Sequence, residues 1–316
     1  MKKINHRVLQ LKLLGVTRSS LYRSLSFLSV TPCPLWLMLI LLLFFSGCVR
    51  QPLQDGLLIA VSIPPQAWFV SQIAGDNADV LILVPPGQNP HNYEPTPRQI
   101  QRLASASAWI LSGTEFEITL LPKIKRLFPD LLIIDGTLGV EFRYLEEECE
   151  DHFHDLQDRH TWLGREPVKI LSGHIRDTLC LFDAEMESYY RRKYENLVNK
   201  IDNEFFRLRD ILEPLRGKSV FVYHPSFGYF LDEFEIIQEA VETGGKEPTP
   251  RQLNFLIGKM IKENAAALFV QTQYPVNAAR TIANAAGAQV IELDPLAQDW
   301  LNNIRHMGEM LQKAAL

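Results

Sequence analysis

Apolar runs of strand length recur at 57–63, 80–84, 108–111 and 131–134, and again at 219–223, 236–241, 266–270 and 289–293. Most are followed by a helical pattern or a Gly/Pro turn, an alternation that predicts parallel α/β sheets. Between the two sets lies the clearest helix of the chain. Its apolar positions are Met186, Tyr190, Tyr194, Leu197, Ile201, Phe205, Leu208, Leu212 and Leu215, in steps of three and four, close to the helical repeat. Arg191, Arg192, Glu195, Lys200 and Asp202 fill the other faces. About 30 helical residues would reach roughly 45 Å, enough to brace two lobes, and Pro214 and Gly217 mark the end.

The fold predicted is therefore α/β, with two lobes, each a mostly parallel sheet flanked by helices, joined by one long helix. The boundaries read from the pattern are an N-terminal lobe at 56–181, a linking helix at 182–215 and a C-terminal lobe at 216–316. A short repeat supports related lobes: Glu94-Pro95-Thr96-Pro97-Arg98-Gln99 recurs as Glu247-Pro248-Thr249-Pro250-Arg251-Gln252. In each copy Thr suits a helix N-cap, Pro the first helical position, and Gln the third position of a capping box.

The first 47 residues break this pattern. They hold six Lys or Arg and no Asp or Glu, then an apolar run from Leu35 to Phe45, then Ser46-Gly47-Cys48. A basic segment, a short apolar run and small residues before a cysteine read as a lipoprotein-type signal peptide, 1–47. The run is short for a membrane span, which needs roughly 20 apolar residues. Phe45-Ser46-Gly47-Cys48 resembles a bacterial lipobox, with Phe where Leu is usual. Lipidation of Cys48 would leave 48–55 as a tether to a membrane surface; an uncleaved anchor helix is the alternative.

Without the six basic residues of that segment the net charge moves from −5 to −11. So acidic a chain is a poor nucleic-acid binder, because such binding draws its affinity from Lys and Arg on phosphates. The remaining length suits two cores. Apart from Cys33 in the signal and Cys48, two cysteines are left. Cys149, in an acidic loop, and Cys180, in a helical pattern, are expected to be unpaired.

Four phrases carry candidate chemistry. His91 stands in Pro90-His91-Asn92-Tyr93-Glu94-Pro95 and His160 in Asp158-Arg159-His160-Thr161-Trp162-Leu163. His224 stands in Tyr223-His224-Pro225-Ser226-Phe227-Gly228-Tyr229-Phe230 and Asp294 in Leu293-Asp294-Pro295-Leu296. Three imidazoles and a carboxylate suit a divalent transition ion, zinc above all. His91, His224 and Asp294 follow predicted strands, where open α/β sheets place ligands. Trp162 and the aromatic cluster after His224 could shield an ion from water. The acidic stretch 146–155 adds His152 and His154 as a weak accessory metal loop, or a solvated turn.

These phrases resemble the cluster A-I solute-binding proteins, the metal-capturing subunits of bacterial zinc and manganese ABC importers. The resemblance runs from about Leu57 to the C-terminus, with four phrases in order; Arg159 stands where the family usually has Pro, and Gly164-Arg165 where it usually has Asp-Pro. It implies a metal site between the lobes, a backbone helix limiting their closure, and His91, His160, His224 and Asp294 as ligands. It further implies an extracytoplasmic, lipid-anchored binding protein in the periplasm or at the cell surface. That protein would deliver its ion to an ABC permease and its ATPase, act as a monomer, and catalyse nothing. A His at 224 is usual in zinc importers and a Glu in manganese importers, so Zn2+ is the expected cargo and Mn2+ the alternative. A zinc hydrolase and a surface adhesin are the competing readings from other classes; no His-Glu-x-x-His phrase is present.

Overall fold

Eight short strands form two four-stranded, all-parallel sheets. In the first, β1 (Leu57–Val61), β2 (Ala78–Ile82), β3 (Ala108–Leu111) and β4 (Leu132–Asp135) lie in the order β2-β1-β3-β4. A two-stranded antiparallel ribbon, β5 (Tyr144–Leu145) with β6 (Leu156–Gln157), follows. The second sheet is built from β7 (Ser219–Val222), β8 (Ile237–Ala240), β9 (Ala267–Gln271) and β10 (Gln289–Leu293), in the order β10-β9-β7-β8. Read from its other edge, the second sheet is wired as the first, which strengthens the relation between lobes suggested by the Thr-Pro-Arg-Gln repeat. The computed structural model describes residues 56–145, 156–242 and 248–314. The expected signal 1–47, the tether 48–55 with Cys48, and Cys149, His152 and His154 lie outside the described residues.

The helices are α1 (Pro64–Ala74), α2 (Pro97–Leu103), α3 (Glu115–Leu127), α4 (Arg165–Phe182), α5 (Glu187–Leu212), α6 (Gly228–Asp232), α7 (Pro250–Lys262), α8 (Val276–Ala286) and α9 (Trp300–Ala314). Inner strands β3 and β9 are buried throughout, as strands covered on both faces must be, and their sequences are correspondingly continuous apolar runs. Both copies of the repeat start helices as capping boxes. Gln99 N donates to Thr96 Oγ1 (3.4 Å) while Thr96 N donates to Gln99 Oε1 (2.8 Å). At α7 the same pair is Gln252 N to Thr249 Oγ1 (3.3 Å) and Thr249 N to Gln252 Oε1 (2.9 Å).

The long helix α5 spans 26 residues between 3-10 turns at Ala184–Met186 and Glu213–Leu215. Tyr190, Leu197, Ile201, Phe205, Leu208 and Leu212 bury the predicted stripe. Among them Glu204 is buried but neutralised: Arg207 of its own helix reaches Oε1 and Arg305 of α9 reaches Oε2 at 2.8 Å. Gly308 lets α9 pack closely against α5, since a Cβ there would sit 2.3 Å from Leu208 Cδ2.

The main core runs from the first sheet across α5 into the second lobe, where Phe205, Phe230 and Trp300 meet. A smaller cluster, including Phe221, Met260, Leu268 and Ile282, fills the far face of the second sheet. Among the described residues there are thus two cores, and the larger bridges the lobes. Both sheets and α5 belong to one compact unit, Asp55–Leu316. Among the described residues no helix is long and apolar enough to cross a membrane. Cys180 is a free, half-buried thiol.

Candidate metal centre

Order β2-β1-β3-β4 reverses direction between β1 and β3, and the second sheet does so between β7 and β9. Loops beyond the carboxyl ends at such switch points form a crevice, and the candidate residues gather there. His91 sits in the loop after β2, where Asn89 Oδ1 accepts its backbone N–H at 3.0 Å. His160 follows β6 and opens the 3-10 turn Thr161–Leu163. His224 lies two residues past β7.

The three rings converge. His91 Nε2 is 3.0 Å from His224 Nε2, which is 3.2 Å from His160 Nε2. A ligand atom from each of His91, His160 and His224 falls within 4.8 Å of the others. His160 and His224 are buried and His91 is half-buried.

Behind each ring stands a carboxylate. Glu115, at the start of α3, places Oε2 2.9 Å from His91 Nδ1. Asp158 Oδ1 lies 2.8 Å from His160 Nδ1 and also accepts that residue's N–H at 3.0 Å. Glu242, two residues past β8, pairs with His224 Nδ1. An ionised carboxylate only accepts, so a neutral ring in such a pair would carry its proton on Nδ1 and present a lone pair at Nε2. Three lone pairs pointed at one place repel one another, and a cation among them reverses the sign of that interaction. Nitrogens bound tetrahedrally to zinc at about 2.05 Å lie about 3.3 Å apart, close to the two separations that His224 Nε2 makes. The carboxylate–imidazole pairs are the usual outer support of metal-binding histidines.

Electrostatics agree with this arrangement. Burial lowers the His224 pKa to about 4, only partly opposed by Glu242, so the ring is neutral and available near neutral pH. Burial works to raise the carboxyls of Glu115 and Asp158, but their imidazole partners outweigh it, and Arg143 adds to the effect at Asp158; both are held below the ordinary range. Arg159 comes within 3.8 Å of Glu115 Oε1 and donates to Gly113 O at 2.9 Å. The turn that presents Glu115 is fixed by buried Glu117, which accepts from the N–H groups of Ser112 (2.7 Å) and Gly113 (2.8 Å). Gly113 supplies the positive φ of 84° that the turn requires.

Backbone and aromatic contacts hold the buried side. Gln271, fully buried on β9, accepts from His224 N at 3.3 Å and donates to His224 O. Tyr274 stacks on the His224 ring at 4.8 Å, and the edge of Trp162 meets His160 at 5.2 Å.

Asp294 stands directly after β10, outside the cluster of three imidazoles. Its Oδ1 accepts from Gln273 Nε2 (2.8 Å) and Leu296 N (3.0 Å). Its phrase also stitches the lobes together: Trp162 Nε1 donates to Pro295 O at 2.8 Å and Trp300 Nε1 to Trp162 O at 2.6 Å. Sequence reasoning did not single out Glu115, Asp158, Glu242 or Gln271. Only Asp158 carried a visible signal, as a carboxylate two residues before a candidate ligand; the others become neighbours through strand register and lobe packing.

The family model described as ZnuA, zinc-uptake complex component A, periplasmic, matches residues 59–314. A crystal structure of ZnuA superposes with a TM-score of 0.76 at 33% identity, covering 83% of this chain and 100% of that one. A protein described as a putative metal-binding protein of Chlamydia trachomatis is 27% identical over 247 residues, 78% of this chain and 87% of its own length. The zinc-binding lipoprotein AdcA of Streptococcus pneumoniae is 25% identical over 268 residues, 80% of this chain and 53% of the longer relative.

Proposed function

The chain belongs to the family of zinc-uptake complex component A periplasmic proteins, and on that premise we propose that it captures a zinc ion outside the cytoplasm and hands it to an ABC permease and its ATPase. One observation carries the reading: three Nε2 atoms converge while each Nδ1 faces a carboxylate. His91, His160 and His224 are the proposed ligands. Asp294, whose Oδ1 is already engaged, offers its second oxygen as the fourth. A full set of protein ligands leaves no position for an activated water, so the protein binds and releases without catalysis. Imidazole nitrogen suits zinc, whereas manganese favours oxygen donors, and this supports zinc over manganese as cargo.

The lobes are taken as 56–181 and 216–316, joined by 182–215. The family description places its members in the periplasm and AdcA is a lipoprotein; together with the Ser46-Gly47-Cys48 phrase they support a lipid-anchored monomer on the outer side of a membrane. Elemental analysis of the soluble domain, after exposure to equal zinc and manganese and removal of free metal, tests the reading. One zinc per chain with little manganese is expected. Equal manganese would overturn the choice of ion, and no bound metal would overturn the function.

A further inference from the structure

We propose that Arg143 is a positioning residue for His160 that couples the metal site to the packing of the two lobes. The inference rests on the metal-capture reading above and adds a residue that does not itself face the ion.

Arg143 and Asp158 flank the short ribbon β5–β6, where Asp158 N donates to Arg143 O at 2.9 Å. Across this pair Arg143 Nη1 donates to Asp158 Oδ2 at 2.7 Å, and the Asp158 side chain is wholly buried. The other oxygen, Oδ1, receives His160 Nδ1 at 2.8 Å and His160 N at 3.0 Å. One buried carboxylate thus stands between a guanidinium and a candidate ligand. Arg143 therefore fixes Oδ2 in place and leaves Oδ1 to hold the imidazole with Nε2 facing inward.

The same guanidinium reaches the other lobe. Its Nε donates to Asp232 Oδ2 at 2.9 Å, at the end of α6, which begins four residues after His224. Tyr229 closes a ring of contacts: its hydroxyl accepts from Arg143 N at 3.0 Å and donates to Asp158 O at 3.0 Å. Gly228 is what allows this approach. A Cβ at that position would lie 1.8 Å from Arg143 Nη1 and 2.2 Å from Cζ. The planar fork of arginine, donating in two directions, suits this post in a way a lysine ammonium does not. The lobe carrying His224 and the turn carrying His160 are thereby held by one side chain, and a shift of either lobe pulls on Asp158.

The experiment uses the soluble domain in four forms: wild type, Arg143→Met, Arg143→Lys and Gly228→Ala. Gly258→Ala, at a helical position where a Cβ meets nothing within 4 Å, controls for the glycine change itself. Two quantities are read: zinc affinity by chelator competition, and the His160 Nδ1–H resonance in metal-free protein labelled with 15N-histidine. Arg143→Met and Gly228→Ala are expected to lose about tenfold to a hundredfold in zinc affinity, the range usual for such outer partners. Both should shift or broaden the His160 resonance, Arg143→Lys should recover part of each loss, and Gly258→Ala should match wild type. If Arg143→Met does not fold, Gly228→Ala decides by the same readouts. Wild-type affinity with an unmoved His160 resonance in a folded variant would overturn the proposal, even if its melting temperature had fallen. Failure of the wild type to take up zinc would instead overturn the metal reading, and the resonance would still report on positioning.

Discussion

Glu242 and His224 stand level across the parallel pair β7–β8. The register sets Val222 opposite Ala240, and two residues further on the Glu242 carboxylate meets His224 Nδ1. The pairing fixes the ring and leaves Nε2 facing the other imidazoles. Glu242→Leu is therefore expected to weaken zinc binding by about tenfold to a hundredfold. Glu242→Gln, which keeps an acceptor, should lose less, and chelator competition measures both.

Ligands and their neighbours should separate by size of effect. His91→Ala, His160→Ala and His224→Ala each remove a converging nitrogen, and each should cost more than about a hundredfold in zinc affinity, about 2.7 kcal/mol. Asp294→Ala should cost less than any of them, because Oδ1 of Asp294 is held by Gln273 and the Leu296 backbone. Calorimetric titration of the four variants gives the order directly.

Acid should destabilise the metal-free protein earlier than its carboxylates alone would. Burial lowers the His224 pKa to about 4, while an unfolded histidine titrates near 6.5. Between those values the unfolded chain binds the extra proton, so stability falls as pH falls, by at most about 1.4 kcal/mol per pH unit. Above about pH 6.5 this contribution is complete. Urea unfolding of chelator-treated protein from pH 7 to pH 4 should show that slope, and His224→Ala should flatten it.

Membrane attachment is a separate matter from metal capture. Cys48→Ala should abolish incorporation of labelled palmitate and leave the zinc affinity of the purified protein unchanged. Equal labelling of variant and wild type would contradict the lipoprotein reading of Ser46-Gly47-Cys48.

Much of the fold was legible because its signals are local. All eight predicted strand segments form strands, α5 buries the stripe read at steps of three and four, and both Thr-Pro-Arg-Gln copies cap helices. Edges were less clear. β2 begins at Ala78, two residues before the apolar run, since an edge strand tolerates exposed Asp79. The ribbon β5–β6, two residues per strand, is too short to show any periodicity. The imidazoles were readable from their phrases, but their carboxylates were not. Glu115 looks like an ordinary acidic helix start, and Glu242 reaches His224 only through a strand pairing that no single segment encodes. Arg143 and Gly228 are 85 residues apart in number and meet only when the lobes pack.

X-ray absorption at the zinc edge of the loaded soluble domain tests the central claim most directly, because it counts the donors on the ion. Three imidazole nitrogens at about 2.0–2.1 Å, with one further light donor and no sulfur shell near 2.3 Å, are expected. Fewer than three imidazoles, or a sulfur shell, would contradict the assignment of His91, His160 and His224 as the metal-binding set.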